Sequence, residues 1–335
     1  MKIIVPMAGM GKRMRPHTLK VPKPLIPVAG KPIVQRLVED IAGVCDEKIE
    51  EIAFIIGPTF GKEVENMLVN VAEGLGAKGT ICYQEEALGT AHAILCAKEA
   101  LDGRTIIAFA DTLFRAEFTL DGDADGIIWV QQIEDPSAFG VVKLDESNVI
   151  TDFVEKPEDF VSDLAIIGIY YVKDGAALKA ELNYLIENDI KDKGEYQLTN
   201  ALEALKQKGT RFVPGQVQEW LDCGNYGATV YTNQRVLEFI KDEEQMVADS
   251  VKTVNSLIIE PCLIGEGVEI ENSIIGPHVT LSAGSKVVSS ILKNSIVYEN
   301  TTIENEVIEN SMIGTDVTIK GQKRELSIGS FSTDI

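Results

Sequence analysis

Hydrophobic and polar positions alternate in two distinct rhythms along the chain. Short apolar runs at residues 2–5, 51–56, 79–83 and 105–111 predict strands. Between them, Ile33, Val34, Leu37, Val38 and Ile41 recur at helical spacing behind Pro32, a favoured first-turn residue. Val64, Met67, Leu68 and Val71 repeat that spacing until glycines 74 and 76, and residues 89–101 form a third helical stretch. Such alternation predicts an α/β fold with a Rossmann-like sheet. After Asp111 the rhythm changes. Strands at 126–133, 139–144, 149–155 and 165–172 follow one another, so the sheet is expected to be mixed. Helices at 174–187 and 195–207, a strand ending at 219–222 and a connecting helix at 226–245 complete the first domain, expected over 1–245.

From about residue 250 the second rhythm takes over. Aliphatic residues fall at 258, 264, 270, 275, 281, 287, 292, 297, 303, 308, 313 and 319, with Gly, Asn, Ser, Thr and Glu between them. A period of five to six fits neither helix nor ordinary strand alternation. It suits a coil with three flat faces, each contributing one inward aliphatic residue per turn, as in hexapeptide β-solenoids. Twelve positions predict about four coils over 246–325, followed by a tail at 326–335.

Composition narrows the class. With 31 basic against 52 acidic residues the net charge is −21, which argues against general nucleic-acid binding and against docking on an anionic membrane. No run approaches the roughly 20 apolar residues of a membrane span, and the N-terminal apolar run is too short for a signal peptide. Five scattered cysteines with no CxxC pair predict reduced thiols, no structural zinc and a cytoplasmic location. The charge is also uneven. Residues 1–38 hold eight basic side chains and no acidic one, the natural place for an acidic protein to receive an anion.

Two motifs within that segment carry chemistry. Gly9-Met10-Gly11-Lys12-Arg13 follows the first strand but is neither a P-loop nor a dinucleotide fingerprint. Alone it reads as a structural turn, although paired glycines let backbone N–H groups approach phosphates and Arg13 offers a planar fork. Next, Pro22 and Pro24 flank Lys23 on a stiffened loop, suited to positioning a phosphoryl group or simply to lying on the surface.

The run from Met7 to Pro32 resembles the sugar-1-phosphate nucleotidyltransferases, and later blocks extend the likeness in order. These are Gln84 to Ala91, Asp111, Phe139 to Val142, Glu155-Lys156-Pro157, Glu195 to Thr199 and Trp220-Leu221-Asp222; Ala110 departs from the usual Gly. The resemblance implies a nucleotidyltransferase domain followed by a short left-handed parallel β-helix. It assigns Arg13 and Lys23 to catalysis, and Ala8, Gly9, Gly11, Gln84 and Gly89 to the nucleotide. Gly140, Glu155, Lys156 and Glu195 would bind the sugar phosphate, and Asp111 and Asp222 would hold Mg²⁺. The implied reaction condenses dTTP or UTP with a sugar-1-phosphate, glucose-1-phosphate foremost, giving an NDP-sugar and pyrophosphate. A phosphate nucleophile is already anionic, so such a reaction needs alignment and charge neutralisation rather than a general base.

Two alternatives remain at this stage. One is a UDP-N-acetylglucosamine pyrophosphorylase-like enzyme with an acyltransferase tail. The other is a non-catalytic sensor of sugar nucleotides, disfavoured because Lys23, Lys156, Asp111 and Asp222 are all present. His278, the one histidine of the repeat, is expected to be solvated, and the coil to serve assembly into a homo-oligomer or regulation.

Overall fold

The computed structural model describes residues 1–116, 124–328 and 330. The chain divides into two compact units, Met1–Pro27 with Lys31–Asn225, and Val28–Gly30 with the residues from Tyr226 onward.

The first unit opens with β1 (Lys2–Pro6), α1 (Ile33–Val44), β2 (Glu51–Ile56), α2 (Lys62–Gly74), β3 (Lys78–Tyr83), α3 (Thr90–Leu95) and β4 (Thr105–Ala108). These strands lie parallel in the order β3-β2-β1-β4. The chain leaves β1 toward β2 on one side while β4 lies on the other, so the carboxyl end of β1 is a topological switch point, where ligands gather in open α/β sheets. Ile3, Ile4 and Val5 are all fully buried, as a central parallel strand covered on both faces requires.

The rest of the unit comprises β5 (Thr112–Arg115), β6 (Gly126–Gln132), β7 (Val141–Leu144), β8 (Ile150–Val154), β9 (Leu164–Val172), α4 (Gly175–Glu187), α5 (Leu198–Gln207), β10 (Phe212–Gln216) and β11 (Glu219–Asp222). β9 runs antiparallel to β4, with Ile169 opposite Ala108, and makes the sheet mixed. β6 and then β10 extend its far side, and the β7–β8 hairpin joins through Val141 opposite Ala165. β5 and β11 form a separate antiparallel ribbon in which Thr112 faces Asp222.

Several elements are shorter than the periodicity predicts. β4 ends at Ala108, because the next N–H, that of Phe109, turns to the carbonyl of Gly168. α3 ends at Leu95, and its continuation is a series of turns such as Ala97 N–H to Ile94 and Ala100 N–H to Ala97. α5 starts at Leu198, since the N–H of Tyr196 is committed to the carbonyl of Leu88.

The second unit holds α6 (Tyr226–Ile240) and a three-faced parallel β-helix. One face stacks Lys252–Val254, Glu269–Glu271, Lys286–Val288, Thr302–Glu304 and Thr318–Lys320; the other two stack four strands each. Nine of the twelve spaced aliphatic positions are buried in one core, and Ile258, Ile308 and Ile319 pack against it. At one corner Asn255, Asn272 and Asn305 take left-handed φ values of 46°, 50° and 59°, a conformation asparagine tolerates better than most residues. After each turn a hydroxyl spans to the next coil: Ser256 Oγ accepts from Ser273 N–H, Ser273 Oγ from Ser290 N–H, and Ser290 Oγ from Glu306 N–H.

The three faces differ outside. The first is charged, with Glu269 beside Lys252 and Lys286. On the third, Thr280 and Ile296 are buried and α6 packs against the rung of Ile296. His278 at the adjoining corner is therefore not solvated as expected: its side chain is 16% exposed, and its Nε2 lies 2.7 Å from Glu238 Oε1 of α6. The second face carries an outward ladder of Leu257, Ile274, Ile291 and Val307, all exposed, with Val307 at 76%. Residues 329 and 331–335 of the expected tail lie outside the described residues.

Candidate active site

A cleft of about 350 Å³ opens at the carboxyl end of β1, and nine of the thirteen expected site residues line it. These are Ala8, Gly9, Gly11, Arg13, Lys23, Gln84, Gly89, Asp111 and Glu195. The glycine turn leaves β1 and closes into a 3-10 turn at Lys12–Met14, anchored by the fully buried Met14. Gly9 faces open space, so its backbone is accessible to a ligand. Gly11 has an additional reason to be glycine. Its φ is +71°, and a Cβ there would lie 2.6 Å from the Cβ of Lys23. The turn is thus shaped to let the lysine stem pass beneath it.

Lys23 begins a second 3-10 turn, Lys23–Leu25, entered from Pro22. Its side chain is 8% exposed, and Nζ donates to Asp111 Oδ2 at 3.0 Å. Asp111 lies three residues beyond β4 and immediately before β5, not at the end of the fourth strand as the apolar run implied. Across the ribbon, the N–H of Cys223 donates to the carbonyl of Asp111 at 3.0 Å, which brings Asp222 to the same place. Asp222 Oδ1 accepts from Gly224 N–H at 2.8 Å. Burial pushes its carboxyl above the ordinary range against the pull of Lys23, and the like charge of Asp111 adds to the rise.

Two oxygen-only acidic side chains, one destabilised as an anion, form a donor set that fits a hard divalent cation retaining waters and substrate oxygens. No group of three or more His, Cys, Asp or Glu side chains placed to hold a metal occurs among the described residues.

On the opposite wall Gln84 Nε2 donates to Gly89 O at 3.4 Å and lies 3.3 Å from His92 Nδ1. His92 was missed from sequence; its placement three residues after Gly89 on α3 is the signal that could have found it. Gly89 is fixed by packing: at φ +117°, a Cβ would lie 2.4 Å from the carbonyl oxygen of Tyr196. Glu195 enters the cleft from the segment that pairs with Leu88, and its Oε2 accepts from Gln197 Nε2 at 3.3 Å.

Gly140, Glu155 and Lys156 cluster outside the lining of that cleft. A Cβ on Gly140 would lie 3.1 Å from Glu155 Oε2, and Lys156 Nζ sits 3.5 Å from Glu155 Oε1. The buried Tyr170 lies within electrostatic reach of both regions. Burial raises its pKa, and the charges of both Glu155 and Asp111 push it the same way. Sequence reasoning missed Tyr170 as well, because it reads as one more apolar residue of β9.

The sequence profile of the nucleotidyl transferase family matches residues 2–238. The chain belongs to that family. The sugar-1-phosphate nucleotidyltransferase resemblance drawn from the motifs is therefore sound, and this nucleotidyl transferase has relatives that match most of its length. A glucose-1-phosphate thymidylyltransferase of Streptomyces antibioticus is 30% identical, covering 90% of this chain and 88% of its own length. A bifunctional protein GlmU of Methanococcus maripaludis is 29% identical over 90% of this chain and 74% of its own. Among solved structures, a UDP-glucose pyrophosphorylase complexed with UDP-glucose matches with a TM-score of 0.58 at 23% identity, over 71% of this chain and 98% of that one. This last likeness supports the fold of the transferase.

Proposed function

We propose that this nucleotidyl transferase condenses dTTP or UTP with glucose-1-phosphate in a Mg²⁺-dependent reaction, releasing pyrophosphate. The observation that carries the reading is the convergence of the Gly9–Arg13 turn, the buried Lys23 and Asp111 in one cleft, with Asp222 beside them. The 30% identity to a thymidylyltransferase supports the choice of base and sugar. Gly9 and Gly11 present the turn to the triphosphate, Arg13 clamps it, and Lys23 neutralises charge on the phosphoryl group in transfer. Gln84 Oε1 faces the N3–H of a pyrimidine while its amide nitrogen stays engaged with His92 and Gly89. Gly140, Glu155, Lys156 and Glu195 take the sugar phosphate. Asp111 and Asp222 would hold Mg²⁺, which would supply Lewis-acid neutralisation of the phosphates.

The test crosses several nucleoside triphosphates with several sugar-1-phosphates and follows pyrophosphate release. Turnover is expected with dTTP or UTP and glucose-1-phosphate. A folded protein with no turnover for any pair would leave the sensor reading in place. Preference for UTP with N-acetylglucosamine-1-phosphate would favour the GlmU-like alternative.

The outward ladder of Leu257, Ile274, Ile291 and Val307 supports self-association. Together these side chains expose an apolar strip on the order of a few hundred Å², the size that marks interaction sites. At its edge Lys293 and Glu309 pair at 2.9 Å, and the four ladder side chains themselves carry no charge. On a chain of charge −21, a ladder of uncharged side chains is a surface on which a second copy meets less like charge. Sedimentation should show an oligomer that I291D/V307D dissociates. A monomeric parent protein would refute the assignment.

A further inference from the structure

Three residues near the amino end belong to the carboxyl-terminal unit. Val28–Gly30 lie between the Lys23 loop and α1 in sequence, yet they cluster with α6 and the β-helix. They form the tip of a tight hairpin whose arms are Pro27–Val28 and Lys31–Pro32. Both tip residues take left-handed backbone, Ala29 at φ 45° and Gly30 at φ 83°. For alanine this is uncommon, because its Cβ crowds the neighbouring carbonyl and it has no polar side chain to compensate. A surrounding structure that over-determines the turn is therefore required.

That structure is visible. Ala29 is 1% exposed, and its N–H donates at 2.8 Å to Oδ1 of Asn233 in the middle of α6. Asn233 is itself fully buried, and the same oxygen accepts from Thr280 Oγ1 of the β-helix at 2.9 Å. A Cβ on Gly30 would lie 2.6 Å from Leu263 Cδ2 of the first coil, so the leucine side chain packs directly over the tip. One buried carboxamide thus joins the hairpin tip, α6 and the β-helix through two hydrogen bonds to a single atom.

The hairpin follows Lys23 at once in the chain. Pro24 and Pro27 stiffen the segment between them, and the bonds from Ile26 N–H to Lys23 O at 3.1 Å and from Ile33 N–H to Ile26 O at 3.1 Å tie it further. A restraint on Ala29 is thereby passed along a short, stiff path to the turn that presents the lysine. Misplacing a reacting group by as little as 1 Å can lower a rate by about 100-fold.

We infer that Asn233 is a positioning residue for Lys23: by holding the Val28–Gly30 tip, the β-helix unit sets the placement of the lysine. This rests on the catalytic reading of Lys23 and gives the carboxyl-terminal unit, through α6, a part in turnover separate from assembly.

The test measures kcat and KM for the full-length Asn233→Ala, Thr280→Val and Lys23→Met variants and for the Asn233→Ala/Lys23→Met double variant. Asn233→Ala is expected to lower kcat at least about tenfold while KM for the triphosphate changes little. Thr280→Val, which keeps the Ala29 bond, is expected to retain kcat within about twofold. The decisive measurement is the double variant, which should be no slower than Lys23→Met alone, since a positioning role has nothing left to position. An equal loss in both backgrounds, or none in either, overturns the inference. If Asn233→Ala does not fold, Gly30→Ala, which strains the tip at its left-handed φ of 83°, serves in the same cycle. An unaltered kcat in Lys23→Met would instead sink the catalytic reading of that lysine, and the positioning role with it. A slow Lys23→Met beside a normal Asn233→Ala refutes the positioning role alone.

Discussion

Replacing Lys23 with Met separates its contribution to catalysis from its contribution to folding. Met keeps a linear stem beneath Gly11, where a Cβ would lie 2.6 Å from that of Lys23, and deletes only the charge. The ion pair that disappears spans 3.0 Å, but its partner Asp111 is 47% exposed, so water screens it. Pairs of that kind contribute at most about 1 kcal/mol to stability. In a unit of this size such a loss lowers Tm by roughly 2–4 °C. Turnover depends on the same charge more steeply. In the reaction, a cation about 4 Å from the transferring phosphoryl group is worth about 4 kcal/mol at an effective dielectric constant near 20. Only the part that grows as charge develops counts toward rate, and removing one such donor typically costs 100- to 1,000-fold in kcat. We therefore expect Lys23→Met to release pyrophosphate 100- to 1,000-fold more slowly, with KM for the triphosphate raised less than about tenfold. Circular dichroism and thermal melting control for folding. A folded variant within about threefold of the parent kcat would refute the electrostatic role given to this lysine.

Three further substitutions probe separate links. Gly11→Ala should slow turnover and lower stability by roughly 1–3 kcal/mol, because a left-handed backbone and a 2.6 Å approach to Lys23 both oppose a methyl group; denaturant melts and kcat check it, and a neutral effect on both would show that the lysine stem is free to move. Asp222→Asn should preserve the bond from Gly224 N–H while reducing turnover and raising the Mg²⁺ concentration needed for half-maximal rate; unchanged metal dependence would remove Asp222 from the metal site. Asp40 on α1 is pushed up to about 7 by burial, with Arg36 pulling the other way. Its folded pKa exceeds its unfolded one, so the stability it contributes is complete below about pH 4 and is lost as pH rises through about 7. Asp40→Asn should gain in Tm relative to the parent between pH 5 and 8, and a difference that does not vary with pH would rule out the linkage.

The parts of this chain that could be read from sequence are those in which one residue type answers to one local requirement. The aliphatic spacing of the coil was legible because each face admits a single inward side chain per turn, and the positions it marked do form the core. The parallel half of the sheet was legible for a similar reason, since its inner strands β1, β2 and β4 are buried on both faces and helices separate the elements. Site residues in contiguous motifs, such as Gly9–Arg13 and Lys23, could be placed near one another because the chain itself connects them. What could not be read were meetings across long separations. Tyr170 comes within electrostatic reach of both Asp111 and Glu155 only because β9 runs antiparallel between β4 and β6. His278 was misjudged because its partner Glu238 is 40 residues away on a helix whose packing face carries no distinctive pattern.

The uneven charge of the chain now has a physical explanation. An acidic surface repels the two anions that this reaction must bring together, so the positive charge needed to receive them has to be concentrated rather than spread. Residues 1–38 supply it from a short stretch that leaves the switch point of the sheet, where Arg13 and Lys23 enter one cleft. The lysine is kept buried at 8% exposure beside a carboxylate, a placement that stabilises the fold only modestly. Its burial suits the role proposed for it: an ammonium held out of water on one proline-flanked turn would need little reorganisation when a phosphate arrives. The same logic explains why the next turn of the chain is buried against α6 and the first coil instead of being left as a surface loop. A cation that works by fixed position needs its backbone fixed on both sides, and the glycine turn supplies only one of them.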